Sequence, residues 1–172
     1  MIKIREASEA DLPALLAIYN HVIQNTTAVY TYEAQTMEAR KAWYAGKLAA
    51  GYPVYVAEEE GRVAGFSSYG PFRAWPAYKY TIENSVYVTE EHRGKGIGKL
   101  LIRPLIESAR AKGYHAIIAG IDSVNEASIR LHASFGFAEV AHFREVGYKF
   151  GRWLDLTFLE LLLDTPANPT EG

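Results

Sequence analysis

Apolar positions along this chain change their spacing repeatedly, and each change marks an element. Residues 1–5 alternate apolar and charged, as a short strand does. Ser8 and Asp11 then form a capping-box pattern ahead of Leu12, Leu15, Leu16 and Tyr19, which follow helical spacing. Residues 23–35 read as a loop, and Thr36 opens a second helix over residues 39–48 that stops at Gly51. Residues 53–58 and 63–69 read as strands around the turn Glu60-Gly61-Arg62, and residues 70–77, with two prolines, as a loop. Residues 80–88 alternate again and are rich in β-forming side chains. A helix follows residues 92–98, runs to Lys112 and ends at Gly113 in the C′ position. Residues 115–121 form an apolar strand, residues 125–135 a helix closed by Gly136, and residues 138–145 and 153–163 two last strands. Pro104 falls inside the third helix, where a proline removes a hydrogen bond at a cost of about 3 kcal/mol, so a kink or a shorter helix is expected. The order β-α-α-β-β-β-α-β-α-β-β predicts an α/β fold with a mixed sheet.

A length of 172 residues suits one domain, placed at residues 1–163, with a polar tail at 164–172 expected to fray. Eighteen Lys and Arg against twenty Asp and Glu leave a net charge of −2, which argues against a nucleic-acid partner. The absence of cysteine excludes a disulfide scaffold, thiolate metal sites and a Cys nucleophile. No apolar run approaches ~18 residues, so no membrane span is expected. The first residues are charged from position 3 and show no secretory core, which suits a cytoplasmic protein. Twelve tyrosines gather mostly at residues 19–55 and 69–87, either as ordinary half-buried core or as the aromatic wall of a pocket for a small polar ligand.

The run Val86-Tyr87-Val88-Thr89-Glu90-Glu91-His92-Arg93-Gly94-Lys95-Gly96-Ile97-Gly98-Lys99 brings a strand through a Gly-rich turn into a helix. The first amides of a helix lack internal acceptors, and the dipole favours an anion there. Glycines admit a phosphate close to the backbone, and Arg93, Lys95 and Lys99 add positive charge. The dinucleotide pattern G-x-G-x-x-G fails in both registers, because its last position falls on Lys99 or Leu101, and no Walker sequence is present. No histidine among His21, His92, His115, His132 and His142 has ligand spacing to another or to a carboxylate, so no metal is expected.

The spacing Arg93-Gly94-Lys95-Gly96-Ile97-Gly98 resembles the coenzyme A signature R-x-x-G-x-G of the GNAT superfamily of N-acetyltransferases. A second stretch, from Asn125 to Phe137, is similar to that superfamily's later segment. Nearly the whole chain, about residues 2–163, resembles one branch, the phosphinothricin and methionine sulfone/sulfoximine acetyltransferases. The matching pieces are Ile18-Tyr19-Asn20-His21, Tyr69-Gly70-Pro71-Phe72-Arg73, Ala77-Tyr78, Thr81-Ile82-Glu83-Asn84-Ser85-Val86-Tyr87-Val88, Arg130-Leu131-His132 and Gly147-Tyr148-Lys149-Phe150-Gly151-Arg152-Trp153-Leu154-Asp155. The resemblance implies a GNAT fold: a mixed, mostly antiparallel central sheet flanked by helices and splayed in the middle at the acetyl-CoA site. It implies acetyl-CoA as co-substrate, a small amino acid as acceptor, a homodimer, and an activity of the kind that gives herbicide or antibiotic resistance.

The resemblance also distributes roles. Val86, Tyr87 and Val88 offer backbone groups to the acetyl carbonyl and the pantetheine arm; Arg93 to Lys99, with Gly94, Lys95, Gly96, Ile97 and Gly98 between, take the pyrophosphate. Asn125 and Ser134 belong to the coenzyme side, Asn125 equally being a helix N-cap. Glu83 is the candidate base for the acceptor ammonium, raised towards neutrality by an apolar wall, or else an edge carboxylate. His132 stands where the superfamily often has a tyrosine, and is either the acid for the departing thiolate or a packed helix histidine. For the acceptor, Arg73 and Lys79 are either the cationic pair for oxyanions or solvated loop charges, and Tyr30, Phe72 and Trp75 either the aromatic walls or ordinary packing. Other readings are an acetyltransferase for protein N-termini or polyamines, and an acyl-CoA sensor without catalysis.

Overall fold

The computed structural model describes residues 1–171. They form strands β1 (Ile2–Glu6), β2 (Val54–Glu59), β3 (Arg62–Pro71), β4 (Thr81–Val88), β5 (Ala116–Asp122), β6 (Ala138–Lys149) and β7 (Arg152–Leu162), with helices α1 (Leu12–Asn25), α2 (Met37–Ala49), α3 (Ile97–Ala111) and α4 (Glu126–Ala133). The chain divides into two compact units: residues Met1–Tyr69 with Ser85–Leu105, and residues Gly70–Asn84 with Ile106 onward. Strand β4 contributes its first half to the second unit and its last half to the first.

In the first unit β1 pairs antiparallel with β2, and β2 antiparallel with β3. The capping box is present, with the Ser8 amide donating to Asp11 Oδ2 at 2.7 Å. Arg5 donates two bonds of 2.8 Å to the same carboxylate and holds its pKa down to about 2. That clamp joins β1 to the start of α1, whose apolar stripe Leu12, Leu15 and Ile18 packs on Tyr44, Val54, Val56 and Phe66. Helix α1 extends to Asn25, into the expected loop, because Ile23 is buried and adds one more apolar position to the stripe.

Of the kink or early end expected at Pro104, the early end does not occur: helix α3 continues through it to Ala111. Its apolar positions Ile97 and Leu101 are fully packed against Ala57 and Ala64. Ser67 Oγ of β3 donates to the Leu101 carbonyl at 3.0 Å, next to Leu100, whose carbonyl loses its helical donor at Pro104, and so ties this turn of the helix to the sheet.

In the second unit Thr81–Glu83 pair in parallel with Ala116–Ile118, β5 pairs antiparallel with β7, and β7 with β6. This mixture of one parallel and several antiparallel ladders is the mixed sheet read from the element order. Strand β6 runs to Lys149, past the expected end at residue 145. Two register shifts absorb the extra length, and Asp155 closes one of them by accepting the Glu145 amide at 2.9 Å. Phe150 and Gly151, both at positive φ, make the hairpin turn into β7. The tail at 164–172 makes contacts as far as Thr170, whose amide donates to Tyr80 Oη at 3.0 Å, and Asp164 lies 3.2 Å from Arg110. Gly172, the last residue of that tail, lies outside the described residues.

Candidate active site

Beyond Val88 the chain makes a short helical turn at Glu90–His92 and enters α3 through two glycines at positive φ, Gly94 at 75° and Gly96 at 81°. His92 anchors this turn, with Nδ1 2.6 Å from Thr89 Oγ1 and Nε2 3.1 Å from Glu59. The Gly96 carbonyl accepts from the Lys99 and Leu100 amides, so the amides of Ile97 and Gly98 stand ahead of the first intrahelical bonds. A Cβ on Gly94 or Gly96 would meet no protein atom within 4 Å, so the approach to this helix start is open. Arg93, Lys95 and Lys99 are exposed around it. The arrangement fits a phosphate group on elementary grounds: free amides, a helix N-terminus and three cations.

The end of β4 just before this cradle is tightly built. A Cβ on Gly65 of β3 would come within 2.6 Å of the Tyr87 carbonyl, so only glycine permits that approach. The Tyr87 ring meets Tyr19 edge-on at 5.6 Å and Phe66 at 5.1 Å. Arg40, buried without a carboxylate, lies over Tyr19 at 4.2 Å and Trp43 at 4.5 Å and donates to Gln35 Oε1 at 2.6 Å. Much of the tyrosine cluster is therefore packing. A cavity of about 520 Å³ opens beside this strand end, lined by Ile18, Val22 and Val88 with His21, Glu90 and Glu91 on its polar side.

Glu83, on the second unit's half of β4, is half-buried. Its carboxylate lies beside Gly120 of β5, where the Phe158 ring of β7 also approaches: a Cβ on Gly120 would stand 3.1 Å from Glu83 Oε1 and 3.0 Å from the Phe158 ring. Burial pushes its pKa up, and the Arg73 guanidinium opposes that shift in part. Phe72 packs edge-on to Phe158 and Tyr78 at 6.0 and 5.8 Å, and Arg73 lies over Phe72 at 5.0 Å. Arg73 thus acts on the charge of Glu83 and also stacks on Phe72. Trp75 is 75% exposed, and Lys79 Nζ lies over Tyr80 at 5.1 Å. Tyr30, 39% exposed, belongs to the first unit.

Gly120 and Phe158 were not singled out from the sequence. A lone glycine inside an apolar strand signals a close approach, and Gly120 carried that signal.

The other strand face carries Asn84, whose Nδ2 lies 3.0 Å from His132 Nε2. His132 Nδ1 is 2.8 Å from the Ser128 carbonyl, which can only accept, so the ring proton sits on Nδ1 and Nε2 accepts from Asn84. Burial pushes the His132 pKa down. The neutral ring then holds its one proton against a carbonyl and has none for a leaving thiolate, which disfavours the acid role considered for it. Asn125 caps α4, its Oδ1 accepting from the Ser128 amide at 3.2 Å, and Ser134 Oγ bonds the Leu131 carbonyl at 2.6 Å at the other end. Among the described residues no group of three or more His, Asp or Glu is placed to hold a metal ion, and no helix is long and apolar enough to cross a membrane.

Comparison with known proteins gives a consistent result. The model of the acetyltransferase (GNAT) family matches residues 15–137. An L-methionine sulfoximine/L-methionine sulfone acetyltransferase of Salmonella typhimurium is 48% identical over 166 residues, 96% of this chain and 97% of that protein. Among solved structures, a GNAT superfamily phosphinothricin acetyltransferase from Sinorhizobium meliloti in complex with acetyl-CoA matches with a TM-score of 0.94 at 35% identity, over 99% of this chain and 94% of that one. A ribosomal-protein-alanine N-acetyltransferase from Brucella melitensis matches with a TM-score of 0.92 at 50% identity, over 94% of this chain and 99% of that one.

Proposed function

The chain belongs to the acetyltransferase (GNAT) family, and from that premise we propose that it moves the acetyl group of acetyl-CoA onto the α-amino group of a small amino acid of the phosphinothricin, methionine sulfoximine or methionine sulfone type. The observation that carries this reading is Glu83: a carboxylate with a raised pKa, beside Arg73 and aromatic rings, on the strand that leads into the cradle. Glu83 takes one proton from the acceptor ammonium, and the freed nitrogen attacks the thioester carbonyl. The carbonyl oxygen becomes an oxyanion, and the backbone N–H groups of Val86 and Val88, beyond the three-residue ladder with β5, are suited to receive it. As the C–S bond breaks, the amine's second proton passes to sulfur, leaving the N-acetyl amino acid and the free thiol. The proton held by Glu83 returns to solvent. Arg93 to Lys99 hold the pyrophosphate, and Arg73 pairs with the acceptor's oxyanionic end.

The test is a thiol-release assay over a panel holding phosphinothricin, methionine sulfone, methionine sulfoximine and a peptide with an N-terminal alanine. Turnover of the amino acids with none of the peptide is expected. The peptide is included because half of the residues match the Brucella melitensis enzyme, and a preference for it would replace the small acceptor by a protein N-terminus. Arg73→Ala should raise KM for the amino acid and leave KM for acetyl-CoA nearly unchanged. An equal rise in both would remove Arg73 from the acceptor side. Gly120→Ala should push on the Glu83 carboxylate and the Phe158 ring, lowering kcat roughly ten- to hundredfold while acetyl-CoA affinity holds. Wild-type kcat in that variant would mean that the position of the carboxylate is not critical.

Two copies are proposed to meet through the β6–β7 hairpin, where Phe143, Val146, Tyr148, Phe150 and Trp153 are exposed. Light scattering on the purified chain should give twice the 19.2 kDa of one copy. A cytoplasmic location suits a protein that draws on acetyl-CoA, and the proposed acceptors are those of a resistance activity.

A further inference from the structure

Asn84 is buried, at 8% exposure, and it is the first residue of β4 past the ladder with β5. Its side-chain amide is held in one orientation by a chain of bonds. The Ser128 carbonyl takes the His132 Nδ1 proton, His132 Nε2 therefore accepts, and Asn84 must present Nδ2 to it. Phe137 packs edge-on against the imidazole at 5.1 Å and steadies the ring. The consequence lies at the other end of the amide: Oδ1 is fully buried and no donor of the described residues reaches it. A buried acceptor is almost always satisfied in a folded protein, so one fixed in place and unmet marks where a donor arrives.

Which donor follows from the strand. Consecutive residues of a strand face opposite sides, so Asn84 faces away from Glu83 and from the acceptor amine that Glu83 deprotonates. The remaining reactant is the thioester. We propose that Asn84 Oδ1 accepts a hydrogen bond from the cysteamine end of the coenzyme, from its amide N–H or from the thiol S–H of the product. His132 then acts as a positioning residue that keeps Oδ1 turned away from the imidazole and available to that donor. The inference rests on the acetyl-CoA reading above and adds a residue to it.

Calorimetric titration of the wild type and of Asn84→Leu with acetyl-CoA, CoA and adenosine 3′,5′-diphosphate tests it. Leucine is close in size and removes both ends of the amide. The variant should bind acetyl-CoA and CoA about tenfold more weakly and the diphosphate, which lacks the pantetheine arm, unchanged. A loss confined to CoA assigns the S–H as the donor; a loss on both ligands assigns the amide. Unchanged affinity for both ligands would overturn the inference, as it would if a trapped water satisfies Oδ1. A parallel loss towards the diphosphate would overturn it too, since the effect would then not belong to the arm. If leucine does not fold, Asn84→Ala is read in the same way. Failure of the wild type to bind acetyl-CoA would instead sink the reading on which this one rests.

Discussion

Glu83→Gln is expected to lower kcat by roughly 10²–10⁴-fold, the usual loss for a removed general base, at nearly unchanged acetyl-CoA affinity. Glutamine keeps the size and the approach to Gly120 but cannot take the ammonium proton. In the wild type kcat/KM should rise with pH through the raised pKa of Glu83, and in the variant that limb should vanish or shift to the titration of the acceptor amine. The same group leaves a mark on stability. Burial raises the folded pKa above its ordinary 4.5, so the folded chain carries a cost that is absent below that value and complete once pH exceeds the folded pKa. The variant should therefore melt no lower than the wild type at pH 8, and the gap between them should close on acidification towards pH 4. Near-wild-type rates for Glu83→Gln across the pH range would put the base elsewhere.

Gly96→Val should weaken acetyl-CoA roughly ten- to hundredfold, the loss expected when one or more charge-assisted bonds to a phosphate no longer form. Gly96 sits at a φ of 81°, where a β-branched residue is strained, and its Cβ position faces open space that a phosphate would fill. The variant would have either to carry the strain or to turn the peptide, and turning it redirects the amides at the start of α3. Gly96→Ala separates the two effects, since it keeps the strain with a smaller side chain and should lose less. Titration calorimetry on folded variants measures both; an unchanged Kd for Gly96→Val would move the pyrophosphate to another part of the chain.

Local devices were legible in the sequence because each is decided by neighbours along the chain. Ser8 and Asp11, Thr36 and Asn125 were read as helix starts, and each stands at one. Gly51, Gly61, Gly113 and Gly136, read as stops and turns, all take positive φ, a conformation that costs glycine least. The strand, glycine-rich turn and helix around Arg93 were legible for the same reason, and so was the α/β class that their order implies.

Pro104 shows where local reasoning ends. Its cost in the helix is real, yet the packing of Ile97 and Leu101 and the bond from Ser67 outweigh it, and none of those partners lies within the helix pattern that flagged the proline. The length of β6 was likewise decided by Asp155 on the partner strand, which accepts the amide left over at Glu145.

By itself, then, the sequence determined the order of elements, their caps and turns, the glycine spacing before α3 and the family to which that spacing and the longer matches point. Tertiary structure alone decided the environment of each candidate group. Glu83 has a raised pKa because the fold buries its carboxylate, beside Gly120, 37 positions further along, and against the opposing charge of Arg73. His132 is held neutral by burial, and its Nε2 is the acceptor because the Ser128 carbonyl takes the Nδ1 proton and Asn84 meets the other nitrogen. Caps and turns are set by forces that reach a few residues, whereas desolvation and tautomer are set by whatever the fold brings within a few ångströms, and that is not written in the spacing of any one segment.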